Sequence, residues 1–273
     1  MHKGESMVTF RDLVNALRDL GLDGTHPIIA HVSLSALGQV QGGAESVLAA
    51  LVAASDGLIM PTFTYKTMLI PETGPPNNGI CYGSKSDANQ MAEFFQADIP
   101  SDSTMGIAAE MLRQRSEATR STHPILSFAG INADEAINAQ TLAEPLAPIR
   151  VLAESRGVVL LLGVDHSVNT SIHYGEKLVG RKQFIRWALT PTGVRQCPNF
   201  PGCSMGFQEI APKLAASIKK SSLGSATIQA IHLIELVQIV GDVIVQDPLA
   251  LLCSNPKCER CQAVRAAVDP KIS

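Results

Sequence analysis

The sequence holds no run of lysine or arginine and no apolar run of membrane-spanning length. With a formal net charge of −3 over 273 residues and 17% charged side chains, it lacks the positive surface that nucleic-acid binding requires. The first seven residues lack the apolar core of a signal peptide, so a cytoplasmic protein with no membrane or nucleic-acid partner is expected. No internal repeat or low-complexity tract is visible. The absence of Gly-x-Ser-x-Gly removes support for a serine hydrolase of the usual α/β type. The histidines show no His-x-x-x-His spacing, which argues against a catalytic zinc. Neither a P-loop nor a dinucleotide fingerprint is present.

What is there is a hydrophobic content of 45%, ample for one large core. Residues 9–20 carry an amphipathic pattern (Phe10, Leu13, Val14, Leu17, Leu20) that predicts a helix ending at Gly21. Residues 27–32 and 58–63 read as strands, and 44–54 as a helix. Residues 66–90, rich in proline, glycine and asparagine, have no periodicity and read as a lid or binding loop. Later segments predict a helix through 110–115, a strand after the Arg-Ser-Thr-His-Pro turn at 120, a helix at 146–152 and a strand at 158–162. Beyond residue 180 the pattern changes to extended chain at 184–195, a helix at 207–218, a strand at 226–232 and a helix at 234–245. The alternation predicts an α/β layered domain, 1–273, with a core of about 8–180 and a C-terminal α+β extension of about 181–273.

The most informative stretch is GVVLLLGVDHSVNTSIHYGE, residues 157–176. Its apolar run, Val158 to Leu162, reads as a strand buried on both faces. Asn169, Thr170 and Ser171 are helix N-cap types, and His173 and Glu176 follow three apart on one helical face. A buried strand thus delivers a histidine and a carboxylate onto the first turn of a helix, whose free N–H groups suit a site of developing negative charge. His173 is therefore the candidate base; nothing in the spacing favours His166 over it. His31 either lines the same site or is a buried histidine bonded to a backbone carbonyl, and His123 beside Pro124 is structural or a ligand contact.

Five segments, taken in order, resemble the antibiotic N-acetyltransferase family, whose best-known members are the aminoglycoside 3-N-acetyltransferases. They are HVSLSALGQVQGGAES (31–46), LIMPTFT (58–64), STMGIAAE (103–110), RSTHPILSFAG (120–130) and LLLGVDHSVNTSIHYGE (160–176). The resemblance implies a layered α/β/α domain with a mixed central sheet, distinct from the common GNAT fold. It also implies acetyl-CoA as donor and an amine as acceptor, with the 3-amino group of an aminoglycoside as the expected target and antibiotic resistance as the consequence. CoA would contact His31, Ser33, Leu34, Ser35, Gly42, Gly43 and Ala44, with Ser103, Thr104, Met105, Arg120 and Ser121 nearby. The catalytic histidine of the family closes Asn-Thr-Ser-x-His, which is His173 here, with Glu176 as its partner. Many relatives carry an aspartate where this chain has Ser167, so that residue's role does not carry over. Thr64, Asp87, Glu93 and Asn169 are the expected acceptor contacts, Glu72 and Asp98 being further carboxylates near the long loop.

An aminoglycoside amine is largely protonated at neutral pH and must lose a proton before it attacks a thioester, which calls for a general base. Direct transfer in a ternary complex needs no acyl-enzyme, and backbone N–H groups near Asn169 to Ser171 are expected to face the developing oxyanion. Two alternatives remain at this stage: an acetyltransferase for another amine, such as a biosynthetic intermediate, with a less acidic acceptor pocket, or a CoA-binding protein without catalysis. A monomer or a homodimer suits either.

Five of the six cysteines lie after residue 196. In a cytoplasmic protein such clustering points to metal in preference to disulfides. Cys258-x-x-Cys261 has zinc-knuckle spacing, with Cys253 five residues earlier and Cys203 in a glycine turn, so these four are the expected ligands of a structural zinc. Cys197 is a possible substitute ligand. The expected role is to pin the C-terminal tail to the extended segment, away from the chemistry.

Overall fold

A computed structural model describes residues 7–83 and 89–268. The strands are β1 Pro27–Val32, β2 Gly57–Pro61, β3 Met68–Leu69, β4 Thr119–Arg120, β5 Phe128–Ile131, β6 Val158–Leu162, β7 Phe184–Thr190, β8 Gly193–Phe200, β9 Lys219–Leu223 and β10 Ala226–His232. The helices are α1 Phe10–Asp19, α2 Gly43–Ala53, α3 Ile107–Gln114, α4 Asp134–Asn138, α5 Ala147–Glu154, α6 Ser171–Leu178, α7 Ala211–Leu214, α8 Leu233–Gln246 and α9 Glu259–Val268. Seven strands form a mixed sheet in the order β4-β5-β2-β1-β6-β10-β9, and β3-β7-β8 form a second, smaller one.

Central position explains the sequence of β6. It pairs parallel with β1 on one side and antiparallel with β10 on the other, so neither edge is free. Its side chains alternate between two cores: Val159 and Leu161 pack with Ile29 and Ile59, whereas Val158, Leu160 and Leu162 pack with Ile28, Ala30, Leu58 and Met60. A strand covered on both faces must be apolar throughout, which is why VVLLL shows no alternation. Truncating Leu161 to alanine would cost about 2–5 kcal/mol.

Helices α1, α2 and α3 cover one face, and α4, α5, α6 and α8 cover the other. The start of α1 is set by a capping box in which Thr9 Oγ1 accepts from the Asp12 N–H and the Thr9 N–H donates to Asp12 Oδ2. Contact between α6 and α8 is close: a Cβ at Gly175 would lie 2.6 Å from Val240 Cγ1. Among the described residues, no helix is long and apolar enough to cross a membrane.

Three sequence expectations change. Residues 207–218 do not form one helix; a 3₁₀ turn, Phe207–Ile210, leads into the short α7, which has Pro212 in its first turn. The chain then enters β9, whose lysines Lys219 and Lys220 lie on the sheet edge, where charge discourages further pairing. The extended segment after 184 is a hairpin, β7–β8, that supplies most of the second sheet. Helices α4 and α9 were not anticipated, one being very short and the other short of a clean apolar stripe.

Because β1 pairs in parallel with both β2 and β6, the C-terminal ends of all three strands lie at one edge. Open α/β sheets place their ligand crevices at that edge.

Candidate active site

The crevice at that edge is a cavity of about 290 Å³. His31 and Val32 reach it from β1, Met60 and Pro61 from β2, and Thr170 and His173 from the turn and helix that follow β6. Tyr65, Thr104, Met105, Ser204, Met205 and Arg260 close its sides. Among the described residues, no carboxylate lines it.

His173 sits in the first turn of α6, and its Nδ1 lies 2.7 Å from Glu176 Oε2. The helical spacing of three residues makes this contact local and inexpensive to form. Arg181 Nη1 donates to the other Glu176 oxygen at 2.8 Å, while its Nη2 donates to the carbonyls of Pro248 at 2.8 Å and Ala250 at 2.9 Å. Glu176 and Arg181 are each only 3% exposed at the side chain. Burial pushes the Glu176 carboxyl up, but the hydrogen bond to His173 and the charges of His173 and Arg181 outweigh it and hold the carboxyl below its ordinary value. An edge-on contact between the His173 and Phe207 rings, 4.6 Å between centroids, fixes the imidazole from the side. With Nδ1 turned to Glu176, Nε2 is the ring nitrogen left for another partner.

Other sequence candidates divide by position. His31 lines the cavity; burial pushes it down to about 4, and its Nε2 is buried without a partner. Thr104 and Met105 line the cavity from a 3₁₀ turn, Ser103–Met105, capped by Asp102 through the Thr104 N–H at 3.0 Å. Ser33 and Ser35 hydroxyls lie 3.2 Å apart beyond β1, with Leu34 between them. Gly42 and Gly43 have positive φ, 76° and 58°, and open α2, in which Ala44 is buried.

Arg120 and Ser121 are not brought to the cavity. Arg120 donates to the carbonyls of Ile99 at 2.5 Å and Thr62 at 2.9 Å, and burial lowers it to about 10. Ser121 Oγ accepts from the Phe128 N–H at 2.8 Å. Thr64 is buried with Oγ1 donating to the Pro124 carbonyl at 2.7 Å. Asn169 is likewise buried, its Oδ1 accepting from the Ser171 N–H at 3.2 Å. Glu93 is an exposed partner of Lys66 at 3.1 Å. Asp87 lies outside the described residues. The turn after β6 also differs from expectation, since the Asn169 N–H donates to the His166 carbonyl and the Ser171 N–H to Asn169 itself. Of the three residues expected to face an oxyanion, Thr170 is the one that lines the cavity.

The sulfurs of Cys203, Cys253, Cys258 and Cys261 all lie within 4.8 Å of one another. Cys197 is buried elsewhere, in the main core. The cluster does not stand away from the cavity as expected: Gly202, Ser204 and Arg260, immediate neighbours of its cysteines, are lining residues. Sequence reasoning also missed Arg181 and Arg260. Arg181 lies five residues past Glu176, off the helical period, and Arg260 is hidden inside Cys258-x-x-Cys261.

Known proteins share the sequence pattern and the fold. The aminoglycoside 3-N-acetyltransferase family pattern matches residues 29–244. An aminoglycoside N(3)-acetyltransferase III from Salmonella sp. is 28% identical over 200 residues, covering 68% of this chain and 67% of that protein. The SPbeta prophage-derived aminoglycoside N(3')-acetyltransferase-like protein YokD of Bacillus subtilis is 27% identical over 245 residues, covering 84% and 89%. Among solved structures, the apoenzyme of aminoglycoside acetyltransferase AAC(3)-IVa superposes with a TM-score of 0.78 at 22% identity, over 97% of this chain and 99% of that one. AAC-IIIb in binary complex with CoASH superposes with a TM-score of 0.71 at 19% identity, over 88% and 97%. With its mixed sheet, its crevice at the β1–β6 edge and a family match across most of its length, this chain belongs to the aminoglycoside 3-N-acetyltransferase family.

Proposed function

We propose that the protein is an acyltransferase that moves the acetyl group of acetyl-CoA onto an amino group of an aminoglycoside, the 3-amino group by family, and so confers resistance to the antibiotic. The observation that carries this reading is the His173–Glu176–Arg181 chain, buried at one end and open to the cavity at the other. The ammonium first releases one proton to solvent, and Nε2 of His173 then takes a second from the neutral amine as its nitrogen bonds to the thioester carbon. Glu176 stabilises the imidazolium that forms, and Arg181 keeps Glu176 ionised and in place. Thr170 offers a backbone N–H and a hydroxyl to the oxyanion. When the C–S bond breaks, the imidazolium returns its proton to the leaving thiolate, giving CoASH and the amide. A positioned base of this kind contributes roughly 10²–10⁴-fold.

On this reading CoA runs from the cavity toward Ser33, Ser35 and the Gly42–Gly43 turn. What supports that path is the open space beside Gly43, where a Cβ would meet nothing within 4 Å, at the positive end of α2. The test is release of CoA from acetyl-CoA with a panel of aminoglycosides, repeated with His173→Ala. Turnover with at least one aminoglycoside, falling a hundredfold or more in the variant with the KM for acetyl-CoA within about threefold, supports the reading; an unaffected variant sinks it.

One observation favours a second reading, acetylation of an amine carrying less charge. The cavity wall includes Arg260 and, among the described residues, no carboxylate. A polycation is repelled by such a wall unless the rim supplies anions. Turnover of monoamines in the same panel, with none of aminoglycosides, would select this reading.

A further inference from the structure

Four cysteines from three separate segments converge at one end of the cavity. Cys203 follows β8, Cys253 follows α8, and Cys258 and Cys261 bracket the start of α9. Their sulfurs all lie within 4.8 Å of one another, and all four are free thiols. A tetrahedron with bonds of about 2.3 Å has sulfur–sulfur edges of about 3.8 Å, so a small closure brings this cluster to zinc geometry. Cys203, Cys253 and Cys261 are buried and Cys258 is half-buried, which leaves no open position for substrate.

Four thiolates with one divalent ion leave a net charge of −2. Arg265, whose Nη2 donates to the Cys253 carbonyl at 2.7 Å, and Arg260, whose Nη1 donates to the Gly202 carbonyl at 2.8 Å, supply two positive charges beside it.

The geometry points to a structural zinc bound by Cys203, Cys253, Cys258 and Cys261 that clamps the 202–207 turn to the start of α9 and thereby builds one wall of the acetyl-transfer cavity. Zinc is assigned because a closed, buried, four-sulfur tetrahedron suits it and offers no coordination site for catalysis. The clamp reaches the chemistry in two steps. Gly202, Ser204 and Arg260 line the cavity directly, and the Phe207 N–H donates to the Ser204 carbonyl at 2.9 Å, which holds the Phe207 ring against His173. The metal assignment stands independently of the acceptor, since its ligands touch neither substrate nor the base.

The whole chain, purified without chelator, should contain close to one zinc per molecule by elemental mass spectrometry. Under native conditions no more than two thiols should react, Cys81 and Cys197, with four more appearing as a mercurial releases the metal. Hydrogen exchange should then accelerate at least tenfold across residues 202–207, and kcat should fall with it. Less than about 0.2 zinc per chain with four freely reactive cluster thiols overturns the site, as does stoichiometric iron or a disulfide among the four. Zinc release that leaves exchange at 202–207 unchanged overturns the clamp. Since every arm uses the wild-type chain, a cysteine variant that fails to fold does not obstruct the test.

Discussion

Nδ1 of His173 and Oε2 of Glu176 lie 2.7 Å apart on one helix, with the far oxygen of Glu176 bonded to Arg181. This contact decides which ring nitrogen is left to the cavity, since the one turned to Glu176 is already engaged. Glu176→Gln keeps the shape but removes the charge that balances the imidazolium. Single-turnover acetyl transfer is expected to slow by about ten- to a hundredfold, corresponding to the one to two pK units that an adjacent opposite charge contributes. The dissociation constant for acetyl-CoA should stay within about twofold. An unchanged rate would show that Glu176 only supports the fold.

Arg181 serves the same contact from behind. It and Glu176 are too buried for water to substitute for either partner, so Arg181→Met strands a carboxylate and should destabilise the protein by about 3–5 kcal/mol. Adding Glu176→Gln to it removes the stranded charge. The double variant should therefore be less destabilised than the sum of the singles by 1 kcal/mol or more, measured by urea unfolding. Strict additivity would mean that the pair is not coupled.

Much of this site was legible in the chain because its determinants are local. His173 and Glu176 share a helical turn, β6 is announced by an unbroken apolar run, and the cysteine spacing marks the cluster. What could not be read depends on distance. Arg120 looks like a free cation in the sequence, but β4 carries it to the carbonyls of Thr62 and Ile99. Thr64 and Asn169 are likewise polar residues engaged by their own backbone surroundings. Arg260 enters the cavity because α9 lies against the turn after β8, where its Nη1 donates to the Gly202 carbonyl at 2.8 Å.

Two buried histidines give the fold an acid-sensitive side. His31 and His123 are each pushed down to about 4 by burial, against about 6.5 in an unfolded chain. His123 is held neutral by its Nδ1, which accepts the N–H groups of Leu126 at 3.0 Å and Ile125 at 3.2 Å. Between pH 6.5 and 4 the unfolded chain binds more protons than the folded one, so stability rises with pH across this window and falls on acidification. Each histidine contributes up to about 1.4 kcal/mol per pH unit there, and the effect is absent above pH 7. Urea unfolding at pH 7, 6 and 5 should show this decline, and His123→Gln should flatten it by about half. A stability that is level from pH 7 to 5 would mean that these histidines are not buried in neutral form.

The paired glycines at the start of α2 separate folding from cofactor binding. Both have left-handed backbone, φ 76° at Gly42 and 58° at Gly43, a conformation that costs any other residue about 1–2 kcal/mol. They differ in what a side chain would meet. At Gly42 a Cβ runs into the hydroxyl of Ser46, within the helix that the glycine opens, whereas at Gly43 it enters open space. Gly42→Ala should therefore lower stability more than Gly43→Ala does. Gly43→Phe bears only the backbone cost in the free protein but fills the space proposed for CoA. Its KM for acetyl-CoA should rise at least tenfold, with that for the amine within about twofold. Initial-rate kinetics with each substrate varied, alongside thermal melting of the variants, gives the comparison. Equal rises in both Michaelis constants for Gly43→Phe would place CoA elsewhere on the molecule.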